Sequence, residues 1–415
     1  MPDFIALLNE VKDPRQSTKI IYPLTNILFI GICAIFCGAE AWEDMALFAQ
    51  CRFDWFSKYI DMSDGVPSKY TIRRVFSLLD PPQIGELTMG VIASLFKQGS
   101  PVGHIAIDGK TLRGNQSKAK EIKPLQIVSA WCESQGISMA EVAVDRKSNE
   151  ITAIPELLDL INIKGSTISI DAMGTQKAIA KKINKFAQNS IYLSSQQATR
   201  YFGKLPLRVV MRFVFFRSKL RGIRPLAIDN EAHYVLSLKG NQGNLHQEVK
   251  NHMENEGTCL ENLVKDYFEK SHGRVVRRRY FTCELPESLN ALSFPGMESI
   301  IATETISNNV GDSKVSAEWR YYISSHKPSE EKLPEYIRNH WGIENKLHWV
   351  LDVHLNDDAD RKLNKNAVDN ISRIKRLAVN LVRKNDFGNK KSVRLKLKQL
   401  QWDENYLLNI LLGKF

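Results

Sequence analysis

No two cysteines in this chain form a CxxC pair. None of the six (Cys33, Cys37, Cys51, Cys132, Cys259 and Cys283) has a histidine cluster at matching spacing. A cysteine-based metal framework is therefore excluded. Cys33 and Cys37 stand one helical turn apart inside an apolar run, where buried thiols are expected, in keeping with a reducing cytoplasm. Long apolar runs are also missing. The most apolar stretch, Ile20 to Cys37, is interrupted by Pro23, Thr25 and Asn26. What remains from Ile27 to Gly38 is about 12 residues, against about 20 for a bilayer crossing. It follows an acidic and basic leader, which does not suit a signal peptide. A buried core helix is the expectation.

What is present is an ordinary globular composition, 43% hydrophobic and 25% charged over 415 residues, with room for two or three domains. Lys and Arg outnumber Asp and Glu to give a net charge of +11. Such an excess suits a polyanionic partner, because bound cationic side chains release the counterions condensed on phosphates. Charge alone does not separate nucleic acid from plain solubility.

Residues 1–95 read as a helical amino-terminal domain, with apolar residues at helical spacing through Ile27–Phe36 and Trp42–Phe56. Ser68 is a plausible cap for a helix carrying Lys69, Arg73 and Arg74 on one side. That helix is either a helix-turn-helix-like DNA contact or a solvated face. From about residue 102 strands take over. Gly103–Asp108 is a short β-rich run ending in a carboxylate, and Leu125–Cys132 and Ile137–Val144 form a pair joined by Ser134-Gln135-Gly136. A helix over Ala153–Leu160 precedes a second strand ending in Asp, Ser166–Asp171. Next come a helix over Gln176–Ile183 and a strand over His233–Leu238. Strands mixed with helices predict an α/β sheet, whose ligands gather at strand carboxyl ends, where both aspartates stand. Residues 245–325 read as an inserted subdomain with a helix over Leu245–Glu254 and strands over Val275–Cys283 and Ser299–Glu304. The cluster Arg274, Arg277, Arg278 and Arg279 either grips phosphates, the reading adopted for Arg277 and Arg278, or is the outer face of an edge strand. Leu333–Leu351 reads as one helix, with Ile337, Trp341, Ile343, Leu347, His348 and Leu351 as packing positions and Glu344 on the flank of that stripe. Residues 96–380 are taken as the catalytic domain and 381–415 as a basic helical tail.

Moving a phosphodiester bond requires an activated attacking oxygen and a stabilised leaving oxygen. Two divalent cations held by hard oxygen ligands from separate elements can provide both. Asp108, Asp171 and Glu344 would make such a set, although Asp also ends many strands simply as a turn former.

Several long motifs, in order, bear on that choice. They are Glu40-Ala41-Trp42-Glu43-Asp44, Arg74-Val75-Phe76-Ser77-Leu78-Leu79-Asp80, Ile107-Asp108-Gly109-Lys110-Thr111-Leu112-Arg113-Gly114, Asp171-Ala172-Met173-Gly174-Thr175-Gln176, Lys239-Gly240-Asn241-Gln242 and Asn339-His340-Trp341-Gly342-Ile343-Glu344-Asn345. Through nearly its whole length the chain resembles the H-repeat-associated family of bacterial insertion-sequence transposases, which carry a DDE catalytic triad. The resemblance implies a ribonuclease-H-like mixed-sheet core with Asp108 on the first strand, Asp171 on the fourth and Glu344 on a later helix. It implies two Mg2+ (or Mn2+) ions on these three residues, cleavage at element ends, and strand transfer into target double-stranded DNA by a homodimer in the bacterial cytoplasm, at the nucleoid. Lys110, Arg113 and His340 join Lys69, Arg73, Arg74, Arg277 and Arg278 as expected DNA contacts. The Asp171-to-Glu344 gap, 344 − 171 = 173 residues, leaves room for the inserted subdomain.

Two departures stand out. Related transposases surround the glutamate with Tyr, Arg and Lys; here those places hold Ile337, His340 and Leu351. Residues 184–228 form a stretch with nine Lys or Arg and no Asp or Glu, where the family passes almost directly from helix to strand. This reads as foreign sequence inserted in frame. It either loops out at little entropic cost or splits a helix from its strand, leaving a DNA-binding but catalytically inactive relic.

Overall fold

The computed structural model describes residues 2–95, 103–144, 148–189, 232–255, 261–271, 274–309, 315–385 and 391–413. The amino-terminal part is helical: α1 (Pro2–Asn9), α2 (Leu24–Phe36), α3 (Trp42–Cys51), α4 (Phe53–Phe56), α5 (Lys69–Leu78) and α6 (Pro81–Leu95). The interrupted apolar run becomes α2, and every residue from Ile27 to Phe36 is buried. A helix apolar all round must be covered all round, and α2 is the centre of this core. Phe29 stacks on Trp55 at 5.9 Å between ring centroids and meets Phe56 edge-on at 5.5 Å. Gly31 admits the Phe76 ring, whose Cζ would lie 2.5 Å from any Cβ placed there. Cys33 is buried, and burial pushes the Cys37 thiol up to about 12, so neither is a reactive thiolate. Phe29→Ala is expected to cost about 3–5 kcal/mol, read as a lower urea midpoint at unchanged m. A change under 1 kcal/mol would mean this cluster does not carry the core.

A single sheet follows. Its strands are β1 (His104–Leu112), β2 (Leu125–Cys132), β3 (Ile137–Val144), β4 (Thr167–Ile170), β5 (His233–Leu238), β6 (Leu263–Ser271), β7 (Arg274–Glu284), β8 (Ser299–Asn309) and β9 (Val315–Ser324), in the order β3-β2-β1-β4-β5-β9-β8-β7-β6. β1, β4 and β5 are parallel neighbours and the other pairings are antiparallel. Between strands lie α7 (Glu150–Leu160), α8 (Lys177–Asn189) and α9 (Gly243–Met253). Period-two alternation divides β1 and β4 into two faces. Ile105, Ile107, Ile168 and Ile170 join Ile154, Leu157, Ile179 and Leu236 in the core beneath the helices α7 and α8. His104, Ala106 and Asp108 on β1, with Thr167 and Ser169 on β4, face the other way.

The segment expected as an inserted subdomain is a continuation of this sheet, because β9 pairs with β5 from Val235↔Ser324 to Leu238↔Tyr321. Two of its strands, the edge strand β6 and the inner strand β9, escaped the sequence reading, since both mix charged and apolar residues without clean alternation. Most of the basic stretch 184–228 lies outside the described residues. On either side of it, Ile179 and Ile183 of α8 and Tyr234 and Leu236 of β5 share one core, so the helix and the strand both keep their places.

Past the sheet come α10 (Leu333–His340), a π-helical segment (Ile343–His348), α11 (Trp349–Leu355) and α12 (Lys365–Lys384). They are followed by α13 (Val393–Trp402) and α14 (Glu404–Leu411). The helix expected over Leu333–Leu351 thus keeps its helical backbone but is interrupted by a turn at Trp341 and a π-helical stretch after Gly342. The carboxyl-terminal helices read as a basic tail instead bury Leu397, Leu400, Leu407 and Ile410 in the amino-terminal core around α2. α12 joins the two halves: Asn370 donates to the carbonyls of Phe76 and Leu79, both at 3.1 Å, while Asn380 and Ser138 of β3 exchange hydrogen bonds. Among the described residues no helix is long and apolar enough to cross a membrane.

Candidate active site

The parallel register fixes where the two aspartates meet. Pairing runs from His104↔Thr167 to Ile107↔Ile170, so Asp108 on β1 and Asp171, the first residue past β4, each lie one step beyond the last pair. Contrary to the sequence expectation, Asp108 does not end its strand. β1 continues to Leu112, because Asp108 keeps its antiparallel partner Ser129 on β2. Asp171 does end β4. Its Oδ1 accepts from the Met173 and Gly174 amides at 3.1 and 3.3 Å, which leaves Oδ2 turned elsewhere.

The motifs recognised in the sequence hold this loop together. Thr175 donates to the carbonyls of Asp171 and Ser237, Asn241 donates to that of Ala172, and Gln242 to that of Thr175. The Lys-Gly-Asn-Gln turn is therefore the clamp on the Asp-Ala-Met-Gly-Thr loop. Likewise the Gly109–Gly114 run braces the acid-rich segment after α11: the amides of Arg113 and Gly114 each donate to Asp358 at 2.7 Å.

Asp108, Asp171 and Glu344 line one cavity of about 380 Å3, together with Ser169, Lys239, Arg320, His340 and Trp341. Glu344 lies on the π-helical segment, a geometry that recurs at functional sites because the extra residue per turn re-aims side chains. Glu344 is exposed, whereas Ile343 and Leu347 beside it are buried. Among the described residues no three His, Cys, Asp or Glu side chains gather closely enough to hold an ion as they stand. The carboxylates do act on one another. Burial, then Asp171, Glu150 and Glu344, push the Asp108 carboxyl up to about 7. His348 Nδ1 stands 3.5 Å from Asp108 Oδ2, and burial pushes this imidazole down to about 3.

Glu150 was not singled out in the sequence. It opens α7, is buried, accepts a short hydrogen bond from Gln126, and is pushed up to about 7 by burial and by Asp171. It packs so closely over Gly109 that any side chain there would overlap its carboxyl group. Only the glycine after Asp108 hinted at such a neighbour. His104 and Ser169 were missed too, since a lone histidine and serine in apolar strands carry no motif.

The expected DNA contacts divide. Arg73, Arg74 and Arg113 are exposed. Lys69 reaches Glu43 at 2.8 Å, on the surface. Lys110 is buried and paired with Asp352 at 2.6 Å. Arg277 and Arg278 are half-exposed on β7. They bind Asp266 at 2.6 Å and Glu269 at 2.9 Å across the β6–β7 pair, as cross-strand charges do. Trp341, expected to pack inward, is instead partly exposed at the cavity, with the Arg320 guanidinium 4.7 Å from its ring centroid. His340 lies in the cavity wall, bonded through Nδ1 to Ser169.

Comparison with known proteins accords with this arrangement. Residues 5–90 match the family described as DDE_Tnp_1-associated, and residues 100–214 and 218–381 match the transposase DDE domain. The "H repeat-associated putative transposase YhhI" of Escherichia coli (strain K12) is 32% identical over 410 residues, spanning 97% of this chain and 96% of its own length. The "Putative transposase YncI" of Escherichia coli O157:H7 is 33% identical over 398 residues, 92% of this chain and 86% of its own. The DDE transposases are metal-dependent nucleases and transesterases acting on DNA, and this chain belongs to that family as an insertion-sequence transposase.

Proposed function

We propose that Asp108, Asp171 and Glu344 hold two divalent cations, Mg2+ or Mn2+, and that the chain cuts the strands at its element's ends and joins the freed 3′-hydroxyls to target DNA. The observation that carries this reading is the crowding of acids at one cavity: Asp108, Asp171 and Glu344 line it, and Glu150 presses in from the far side of the sheet. Carboxylates so placed repel one another unless positive charge is supplied, and their hard oxygens suit Mg2+ or Mn2+. When bound, such cations polarise the scissile phosphate and lower the pKa of water.

The chain's own part is positioning. Backbone amides hold one oxygen of Asp171 and leave the other for a ligand. His348 flanks Asp108 as a neutral ring. Glu344, exposed on its π-helical segment, has the freedom to swing onto a cation. Holding the reacting oxygens in line contributes much of the rate in such reactions. Residues 96–380 would form the catalytic domain. Lys69, Arg73, Arg74, Lys110, Arg113, Arg277, Arg278 and His340 would supply the DNA contacts, with Arg73, Arg74 and Arg113 the most exposed of them, and a homodimer pairing two element ends at the nucleoid would complete the assembly.

The test is a supercoiled donor plasmid carrying the element's two ends, incubated with the full chain. Nicked and then joined products are expected with Mg2+ and none with chelator. Products that persist in chelator would overturn the metal assignment.

A further inference from the structure

A buried relay runs beneath the cavity. Ser169 Oγ lies 2.8 Å from His104 Nε2 and 2.8 Å from His340 Nδ1. Ser169 is on β4, two residues before Asp171 and on the same face. A serine hydroxyl has one proton and two acceptor sites; were both rings to donate to it, its own proton would find no acceptor among the described residues, so it donates to one ring and accepts an N–H from the other.

Two arrangements satisfy that count. In the first, His340 donates through Nδ1–H to Ser169, which donates to His104 Nε2. The remaining proton of His104 then sits on Nδ1, which is buried and has no hydrogen-bond partner. In the second, His104 donates through Nε2–H to Ser169, which donates to His340 Nδ1. His104 Nδ1 then carries only a lone pair, and His340 carries its proton on Nε2. An orphaned buried N–H is the rarer and costlier defect, so the second arrangement prevails.

We infer that Ser169 and His104 lock His340 as the tautomer protonated on Nε2, so that the ring presents a neutral N–H donor to a phosphate oxygen in the cavity. The inference rests on the reading of that cavity as the phosphoryl-transfer site. It gives a reason for histidine in the place where related transposases have arginine: an uncharged donor stabilises charge developing on phosphate without repelling the neighbouring cations. It also keeps His340 from becoming a metal ligand, since a protonated Nε2 has no lone pair to give.

The full chain labelled with 15N-histidine tests this by long-range imidazole 15N–1H correlation, with His340→Gln identifying the His340 signals. The expected spectrum has the His340 proton on Nε2, and Ser169→Ala is expected to give a mixture of both tautomers. In the nicking assay, His340→Ala is expected to lose about 100-fold in kcat. His340→Gln, whose amide still donates, should recover to within about tenfold of wild type, and Ser169→Ala should lose about tenfold with DNA Kd unchanged. A proton on Nδ1, or a His340→Gln as slow as His340→Ala, would overturn the inference. The reading of the cavity fails separately, if Asp108→Asn nicks as fast as wild type, and the tautomer is measured whichever way that result falls.

Discussion

Asp171→Asn is expected to leave the chain folded and able to bind DNA while Mg2+-dependent nicking falls by about 1000-fold. The amide is isosteric, and its Oδ1 can still accept from Met173 and Gly174, so the loop clamped by Thr175, Asn241 and Gln242 should persist. What is removed is a negative oxygen beside Asp108. A cation bound with one charge fewer neutralises the transition state less well, and each 1.36 kcal/mol of lost stabilisation is tenfold in rate. Glu344→Gln should follow the same course. The discriminating pair of measurements is a filter-binding Kd and a single-turnover nicking rate on the same preparation. A Kd that weakens in step with the rate would mean that Asp171 serves the fold or DNA binding. A rate within tenfold of wild type would remove it from the metal site.

The second large effect is on stability. Asp108 is held near 7 in the folded chain, against about 3.9 unfolded, so folding favours its protonated form. For a raised pKa the contribution is fully present below the unfolded value and is lost as pH climbs through 7. Glu150, raised to about 7 by the same neighbourhood, follows the same sign. In chelator the wild-type chain should therefore lose stability between pH 5 and 8, by about 2–4 kcal/mol from Asp108 alone. Asp108→Asn removes that charge, so at pH 8 in chelator the variant should melt above wild type, by several degrees in Tm. Mg2+ should raise the wild-type Tm at pH 8, raise it less at pH 6 where protons compete, and barely move Asp108→Asn. A less stable Asp108→Asn at pH 8, or an equal Mg2+ response in both proteins, would contradict this account. The design is a familiar exchange of stability for function, in which like charges are gathered where a cation will be needed.

The contrast between Lys110 and Arg73 shows how unevenly such a site can be read in advance. Both are basic and both belong to or adjoin recognised motifs, yet Lys110 is buried against Asp352, 242 residues away, while Arg73 is exposed. Nothing within a few residues of Lys110 announces that pairing. The ion pairs of the β7 arginines were hidden for a related reason. Their acidic partners Asp266 and Glu269 lie on β6, a strand whose mixed composition hid it. The helix around Glu344 misled in another way: its apolar spacing persists through the turn at Trp341 and the π-helical stretch, but one extra residue per turn changes which side chains reach the cavity.

By itself the sequence determined the elements whose cause is local. The apolar run α2, the hairpin β2–β3, the strand β5 and the helix capped by Ser68 all follow from periodicity, turn residues and capping, which act over a few positions. It also carried the family, through motifs that turn out to brace one another. Tertiary structure alone decided which charges are spent on packing, that the insert extends the sheet, and that Glu150, Ser169 and His104 stand around the acids. These depend on register and on contacts between distant segments, and long-range proximity leaves no periodic trace in the chain.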